Sequence, residues 1–358
     1  MAQEKDLKCE EQRKLQMTGG STYILSLPKE WVTRNQLQKG SLIALAEEDD
    51  GSLSLFPSKL EKQEKKSEAV IRVSPNDNPD AVMRKAISAY LVGYSLFHIR
   101  AQGQQSLAVE LRNYLKNFAR SYLVGTEIVT DSPTGLTLQI LLNYPELSVE
   151  SALRRMAIIA GSMHREAVAC FASLDYSAAE AVVETDREVN RFSLYILRLL
   201  KMAVTNIRFV KEIGLSNARE CLGYRLIAKS VERTADHATK IAENILSLKN
   251  TVNPDLLQNV NGLSSLAIYM FESSVEALFK HDYNQAESVI EKISQIHRLE
   301  KDVVISSHAV NIEEIPNVRL IIESIRRTAE YASDISEVVL NLNVESVLSS
   351  QVRLLGLL

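Results

Sequence analysis

Twenty residues of this chain are written twice. Residues 224–243 read YRLIAKSVERTADHATKIAE, and residues 318–337 read VRLIIESIRRTAEYASDISE, 94 positions later. Arg225, Leu226, Ile227, Ser230, Arg233, Thr234, Ala235, Ala238, Ile241 and Glu243 all recur unchanged. A second match lies upstream: LDYSAAEAVVE at 174–184 aligns with HDYNQAESVIE at 281–291, offset by 107. Matched helices and matched turns point to an internal duplication. The pattern is helical from Ser148 onward, with breaks at Asp175-Tyr176, Gly214 and Asn253-Pro254. Helices are expected over 149–174, 178–211 and up to about 248. They are expected again over 254–280, 285–307 and 316–342. Two three-helix bundles follow, over 147–250 and 251–358.

At 100° per residue, Glu232, Asp236 and Glu243 fall within about 40° of one another on the repeated helix. Ile227, Val231, Ala235, Ala238, Ala242 and Ile245 take the other side. The helix therefore buries one face and is expected to turn a row of carboxylates to solvent. A plain solvated face has the same pattern. Glu232 and Asp236 are nevertheless like charges four residues apart, which costs a few tenths of a kcal/mol unless a cation or basic partner lies between them.

The N-terminal residues differ in character. A strand is expected over 13–17, a turn at Thr18-Gly19-Gly20-Ser21 and a second strand over 22–27. Pro28 then opens a short helix over 29–35. Strands over 41–47 and 52–56 flank the turn Asp49-Asp50-Gly51. The stretches TGGSTYILSLPKEWV, KGSLIAL and DDGSLSLFP, in the order β–β–short helix–β–β, resemble the swapped-hairpin AbrB/SpoVT family. The resemblance implies an intertwined homodimer, because so small a segment cannot bury a core alone. It also implies DNA binding through Arg13, Lys14, Thr18, Ser21 and Lys29, with Arg34 a further candidate. Residues 1–66 hold 11 Lys and Arg against 11 Asp and Glu, so affinity for phosphates would depend on how the basic residues cluster. The alternative is a module that only dimerises. Trp31 reads as packing rather than base stacking.

A charged run, KLEKQEKKS at 59–67, separates this domain (1–58) from a middle domain over 68–146. A strand at 69–73 precedes Asn78-Pro79, a cap and first-turn proline that open a helix to about 91. A strand at 95–100, a helix at 106–122 and strands at 124–130 and 136–142 complete a β–α–β–α–β–β layer. His98 reads as structural. No phosphate loop or nucleophile–base pair marks this segment.

The tandem helical half resembles the PhoU family of phosphate-uptake regulators. That family carries Glu/Asp-x-x-x-Asp pairs on facing helices, associated with surface metal binding. SVERTADHATKIAE supplies Glu232 and Asp236 in the first copy, and VVETDREVNRF supplies Asp186, with Asn190 in place of the second acid. Three carboxylates and an amide oxygen suit a hard or borderline cation, divalent or trivalent: Mg, Mn, Zn or Fe. His237 points about 100° away and reads as a boundary residue. In the second copy Arg326 replaces Glu232 and Glu330 replaces Asp236, an opposite-charge pair that satisfies itself. Ile293 and His297 take the partner positions, so that copy is expected to hold no metal.

The expected fold is multidomain and mainly α: a swapped-hairpin domain, a small α/β domain and tandem three-helix bundles. Only 13 Gly and 8 Pro in 358 residues favour long regular elements, and the net charge of −4 confines any DNA contact to a local patch. Cys9, Cys170 and Cys221 show no paired spacing, which favours a reducing compartment. The charged start, MAQEKDLKCEEQRK, reads as no signal peptide, and no apolar run of about 18 residues exists. A cytoplasmic regulator of phosphate uptake is expected, with DNA as partner. The alternative is an adaptor that docks on a phosphate transporter ATPase or a sensor kinase. Metal storage is disfavoured by the single clean site. Nothing in the sequence assembles enzyme chemistry.

Overall fold

The computed structural model describes residues 11–47, 51–57, 68–74, 77–103, 106–307 and 310–348. Cys9, the charged run at 59–67 and Asp49-Asp50 of the expected turn lie outside the described residues. The chain divides into two compact units, Met1–Lys65 and Lys66–Leu358.

In the first unit, β1 (Gln16–Thr18) pairs antiparallel with β2 (Thr22–Ile24) across Gly19 and Gly20, whose φ values of 63° and 82° suit glycine. The expected strand at 13–17 is shorter than read. Its pairing with β2 begins at Gln16 opposite Ile24, and neither strand extends beyond that pair. Helix α1 (Lys29–Arg34) follows, and β3 (Ile43–Glu47) pairs with β4 (Leu53–Pro57). The two hairpins remain separate two-stranded sheets. Among the described residues of this unit only Pro57 is buried, while Met17, Tyr23 and Leu45 are 62%, 66% and 62% exposed. Isolated hairpins without a covered apolar face are marginal in water, so this unit lacks the core that would hold it folded by itself.

The second unit begins with a two-layer sheet. Strand β5 (Glu68–Val73), helix α2 (Pro79–Val92), β6 (Leu96–Ala101), helix α3 (Val109–Tyr122), β7 (Thr126–Ser132) and β8 (Gly135–Ile140) form the expected β–α–β–α–β–β order. The sheet runs β5-β6-β8-β7, with β5 and β6 parallel and the remaining pairs antiparallel. Asn78 caps α2 by accepting from the Asp80 amide, and Gly93 ends it in the left-handed region. Helix α3 starts later than read. Buried Leu107 donates its amide to the Pro133 carbonyl at the β7–β8 turn, so this residue closes the end of the sheet instead.

Eight helices follow: α4 (Val149–Ser173), α5 (Tyr176–Thr205), α6 (Ile207–Glu212), α7 (Glu220–Ile245), α8 (Pro254–Lys280), α9 (Tyr283–Glu291), α10 (Ile293–Ser306) and α11 (Ile315–Asn343). The duplication is visible in backbone detail. Leu174 and His281, 107 positions apart, both end their helices at left-handed φ near 53°, an uncommon state for side-chain-bearing residues. Each is followed by an aspartate cap, Asp175 on the Ala178 amide and Asp282 on the Gln285 amide. Two expected helices are broken. Asn206, at φ −144° and ψ 99°, separates α5 from α6. At Lys292 the amide turns to the Val289 carbonyl while the ammonium takes the Ser288 carbonyl, which divides α9 from α10.

The two helical repeats are not separate bodies. One apolar core runs from Val149 to Val339, with α7 against α11 and α4 against α8. Glu314, buried just before α11, accepts from the Lys249 and Asn250 amides and the Asn250 side chain, and so ties the link between repeats to the start of the last helix. Fully buried His164 on α4 bonds Ser264 of α8 and Thr328 of α11. The α/β layer is fixed to the first repeat in a similar way. Arg198 on α5, 1% exposed, bonds the Tyr90 and Gly93 carbonyls at the end of α2 and lies 4.8 Å from the Tyr90 ring centre. A cation on the last carbonyls of a helix also meets the negative end of its dipole. Arg198→Lys, which lacks the planar fork whose two nitrogens reach the two carbonyls, is expected to lose about 2 kcal/mol in urea unfolding. An unchanged midpoint would mean that the guanidinium does not hold the layer to the repeat.

Candidate functional site

Helices α5 and α7 pack against each other, and this packing decides where the acidic residues of the repeat go. Asp186 and Asn190 stand one turn apart on α5, and Asn190 Nδ2 donates to Asp186 Oδ2 at 2.5 Å. The other carboxylate oxygen, Asp186 Oδ1, is buried without a hydrogen-bond partner. Burial pushes the Asp186 pKa up to about 6, helped by the charges of Asp236 and Glu232 on α7 and opposed by the Asn190 bond. Asp236 is raised too, first by burial and then by Glu232. Glu232 is ion-paired with Lys229, and its side chain is 17% exposed.

These acids form a half-buried seam rather than the solvent-facing ridge that helical spacing predicts; of the stripe, Glu243 is exposed. The cause is packing. Helix α7 is flanked by α4, α5 and α11, so its polar flank meets α5 before it meets water. Among the described residues, no three His, Cys, Asp or Glu side chains form a group that could hold a metal ion. Asp186, Asn190, Glu232 and Asp236 share a neighbourhood without forming a coordination sphere. Asn190 offers Asp186 its NH2 rather than an oxygen, and Lys229 already neutralises Glu232.

The second repeat is closed by ion pairs, as its sequence predicts. Arg326 pairs with Glu330 and, at 3.0 Å, with Glu300, while Arg327 pairs with Glu330 at 2.9 Å. His297 lies 3.9 Å from Glu300. Glu300 escaped the sequence reading; its one signal is a spacing of three residues from His297, which puts both on one helix face. His237 is a boundary residue, buried between the repeats with Nε2 3.3 Å from the Tyr331 hydroxyl. Burial, and then Lys240, Arg327 and Arg326, lower its pKa to about 4.

The DNA-contact candidates lie in the first unit, and every one is exposed. Thr18 and Ser21 bracket the β1–β2 turn, and Lys29 is the first residue of α1. Arg13 and Lys14 precede β1 rather than belonging to it, and Arg13 pairs with Glu11. Arg34 closes α1.

A family model described as the PhoU domain matches residues 153–245 and again residues 260–339, one match on each helical repeat. The chain belongs to the PhoU family. A second model, for the antidote-toxin recognition protein MazE, a bacterial antitoxin, matches residues 16–63, so the PhoU repeats follow a MazE/AbrB-like domain. The chain is 28% identical over 153 residues to the phosphate-specific transport system accessory protein PhoU homolog of Xylella fastidiosa (strain 9a5c). That match covers 40% of this chain and 61% of the curated relative, less than two thirds of its length. Similar solved structures include PhoU from Pseudomonas aeruginosa, 22% identical with a TM-score of 0.49, covering 55% of this chain and 96% of that one. Another is the phosphate transport system regulatory protein PhoU from Streptococcus pneumoniae, 20% identical with a TM-score of 0.48, covering 56% and 96%. Among the described residues no helix is long and apolar enough to cross a membrane.

The seam sets a pH dependence with a definite sign. Asp186 holds its proton to about pH 6 when folded, against an ordinary carboxylate value of 3.8, so the folded state binds more protons between those limits. Its contribution to stability therefore rises as pH falls from 7 towards 4. The effect is about 1 kcal/mol once solvent screening at this half-exposed position is allowed for. Asp186→Asn is expected to be more stable than wild type at pH 7.5 by about that amount, with the advantage shrinking by pH 4.5. Urea unfolding at both values checks this, and a pH-independent difference would remove Asp186 as the titrating group.

Proposed function

We propose that this protein regulates phosphate uptake, touching DNA as a homodimer through its N-terminal unit while its PhoU repeats receive the phosphate signal. The observation that carries the reading is the joining of a MazE/AbrB-like domain and two PhoU domains in one chain. The first unit supports the dimer. Its strands expose apolar side chains on both hairpins and, among the described residues, have no buried core of their own, a deficit that an intertwined second copy would remove. In such a dimer Arg13, Lys14, Thr18, Ser21 and Lys29 would each be present twice. That doubling offsets a domain whose charges otherwise balance.

Sedimentation of the full chain at micromolar concentration is expected to give twice the 40.0 kDa chain mass or a multiple of it. A gel shift with the DNA upstream of the protein's own gene should weaken steeply with salt. Arg13→Ala combined with Lys14→Ala should reduce the salt slope by about four, because each dimer would neutralise about four fewer phosphates. A dimer that gives no shift at low salt would overturn the DNA role. The N-terminal unit would then serve dimerisation, and the repeats would act by docking on a transporter ATPase or sensor kinase.

A further inference from the structure

Next to the acidic seam, the α/β layer and the first repeat enclose a groove of about 770 Å³, within the range of about 300–1,000 Å³ usual for small-molecule sites. One wall comes from α2 and α3. Phe118 and Tyr122 stack there at 4.9 Å with their rings 17° apart, next to Met83. Leu194 and Leu197 of α5 form the apolar floor. The lining also carries three cations: Arg187 from α5, and Arg225 and Lys229 from α7.

These charges are arranged unlike an ordinary solvated face. Arg225 and Lys229 are like charges four residues apart on one helix, a spacing that disfavours the helix by a few tenths of a kcal/mol. Lys229 has Glu232 as its partner, but Arg187 and Arg225 make no ion pair among the described residues. An anion seated between them would relieve the repulsion and gain forked hydrogen bonds from two guanidinium groups. Free phosphate would use the cations and leave the aromatic wall wet. A hydrocarbon chain would use the wall but meet three cations, with Asn117 and Ser121 as further polar edges.

We propose that this groove is a nucleotide site, in which a planar base lies against the Phe118–Tyr122 wall and its phosphate is held by Arg187, Arg225 and Lys229. Stacking on an aromatic face is tolerant of which base is bound, so the class is a nucleotide and not one base. The site gives the α/β layer a role, as the source of the aromatic wall. It also touches the seam directly, because Asn190 and Glu232 line both. A phosphate competing for Lys229 would release Glu232 towards Asp186 and Asp236. The proposal does not depend on DNA contact or on control of a transporter.

Titration calorimetry on the full-length protein with AMP, ATP, adenosine and inorganic phosphate tests it. At least one nucleotide is expected to bind, with adenosine and phosphate each weaker by roughly tenfold or more, since each lacks half of the recognised chemistry. Arg187→Glu with Arg225→Glu, both at exposed positions, should weaken nucleotide binding by about a hundredfold. Ser121→Trp, another exposed position, should block the groove with a bulky ring. Circular dichroism and urea midpoints matching wild type establish that these variants are folded. No nucleotide binding at millimolar concentration, binding unchanged in both variants, or phosphate binding as tightly as AMP would each overturn the proposal. The gel shift is read separately, so failure here leaves the DNA reading untouched, and the converse holds.

Discussion

Small side chains along two helices hold the larger unit together. Ala235, Ala238 and Ala242 on α7 and Ala329 and Ala332 on α11 are wholly buried, and Gly223 lies where a side chain would press on Val338 and Leu342. Small residues let two helix backbones approach closely, so the apolar surfaces of both repeats merge into one interior. Burial is worth roughly 25 cal/mol per Å² of apolar surface, which makes a shared core more favourable than two smaller ones with exposed flanks.

The price of centrality falls on the polar side of α7. A helix flanked on three sides has little fully wet surface, and its charged stripe must share space with α5. The two repeats answer this in opposite ways. In the second, arginines interleave with glutamates and the charges neutralise one another. In the first, three carboxylates and an amide crowd together with one lysine at the edge, and the imbalance appears as a carboxyl group whose pKa is raised to about 6 at Asp186. Divergence after duplication has left one surface inert and the other responsive to charge.

Much of this was legible in the residues. The repeat, the cap at Asn78, the breaks at Asp175 and Asn253, and the order of the α/β layer all rest on local rules, and local chemistry won at each; Asp175, Asn253 and Asp282 cap the helices that follow them. The self-satisfied Arg326–Glu330 pair was readable because both residues lie on one helix. What escaped depends on neighbours distant in sequence. Periodicity says that Glu232 and Asp236 lie opposite the apolar stripe, but not that α5 lies across them. It cannot show that Arg198 leaves its own helix environment to end α2, 105 or more residues earlier. The first strand begins only at Gln16 for a related reason, since a strand extends only as far as its partner does.

Glu314 carries a mechanical implication. One of its carboxylate oxygens gathers three donors from the segment joining the repeats, so flexing that junction would break all three bonds at once. His164, bonded to both α8 and α11, is a second tie between the repeats that a hinge motion would have to break. A push on one is transmitted to the other as the turning of a single stiff lever.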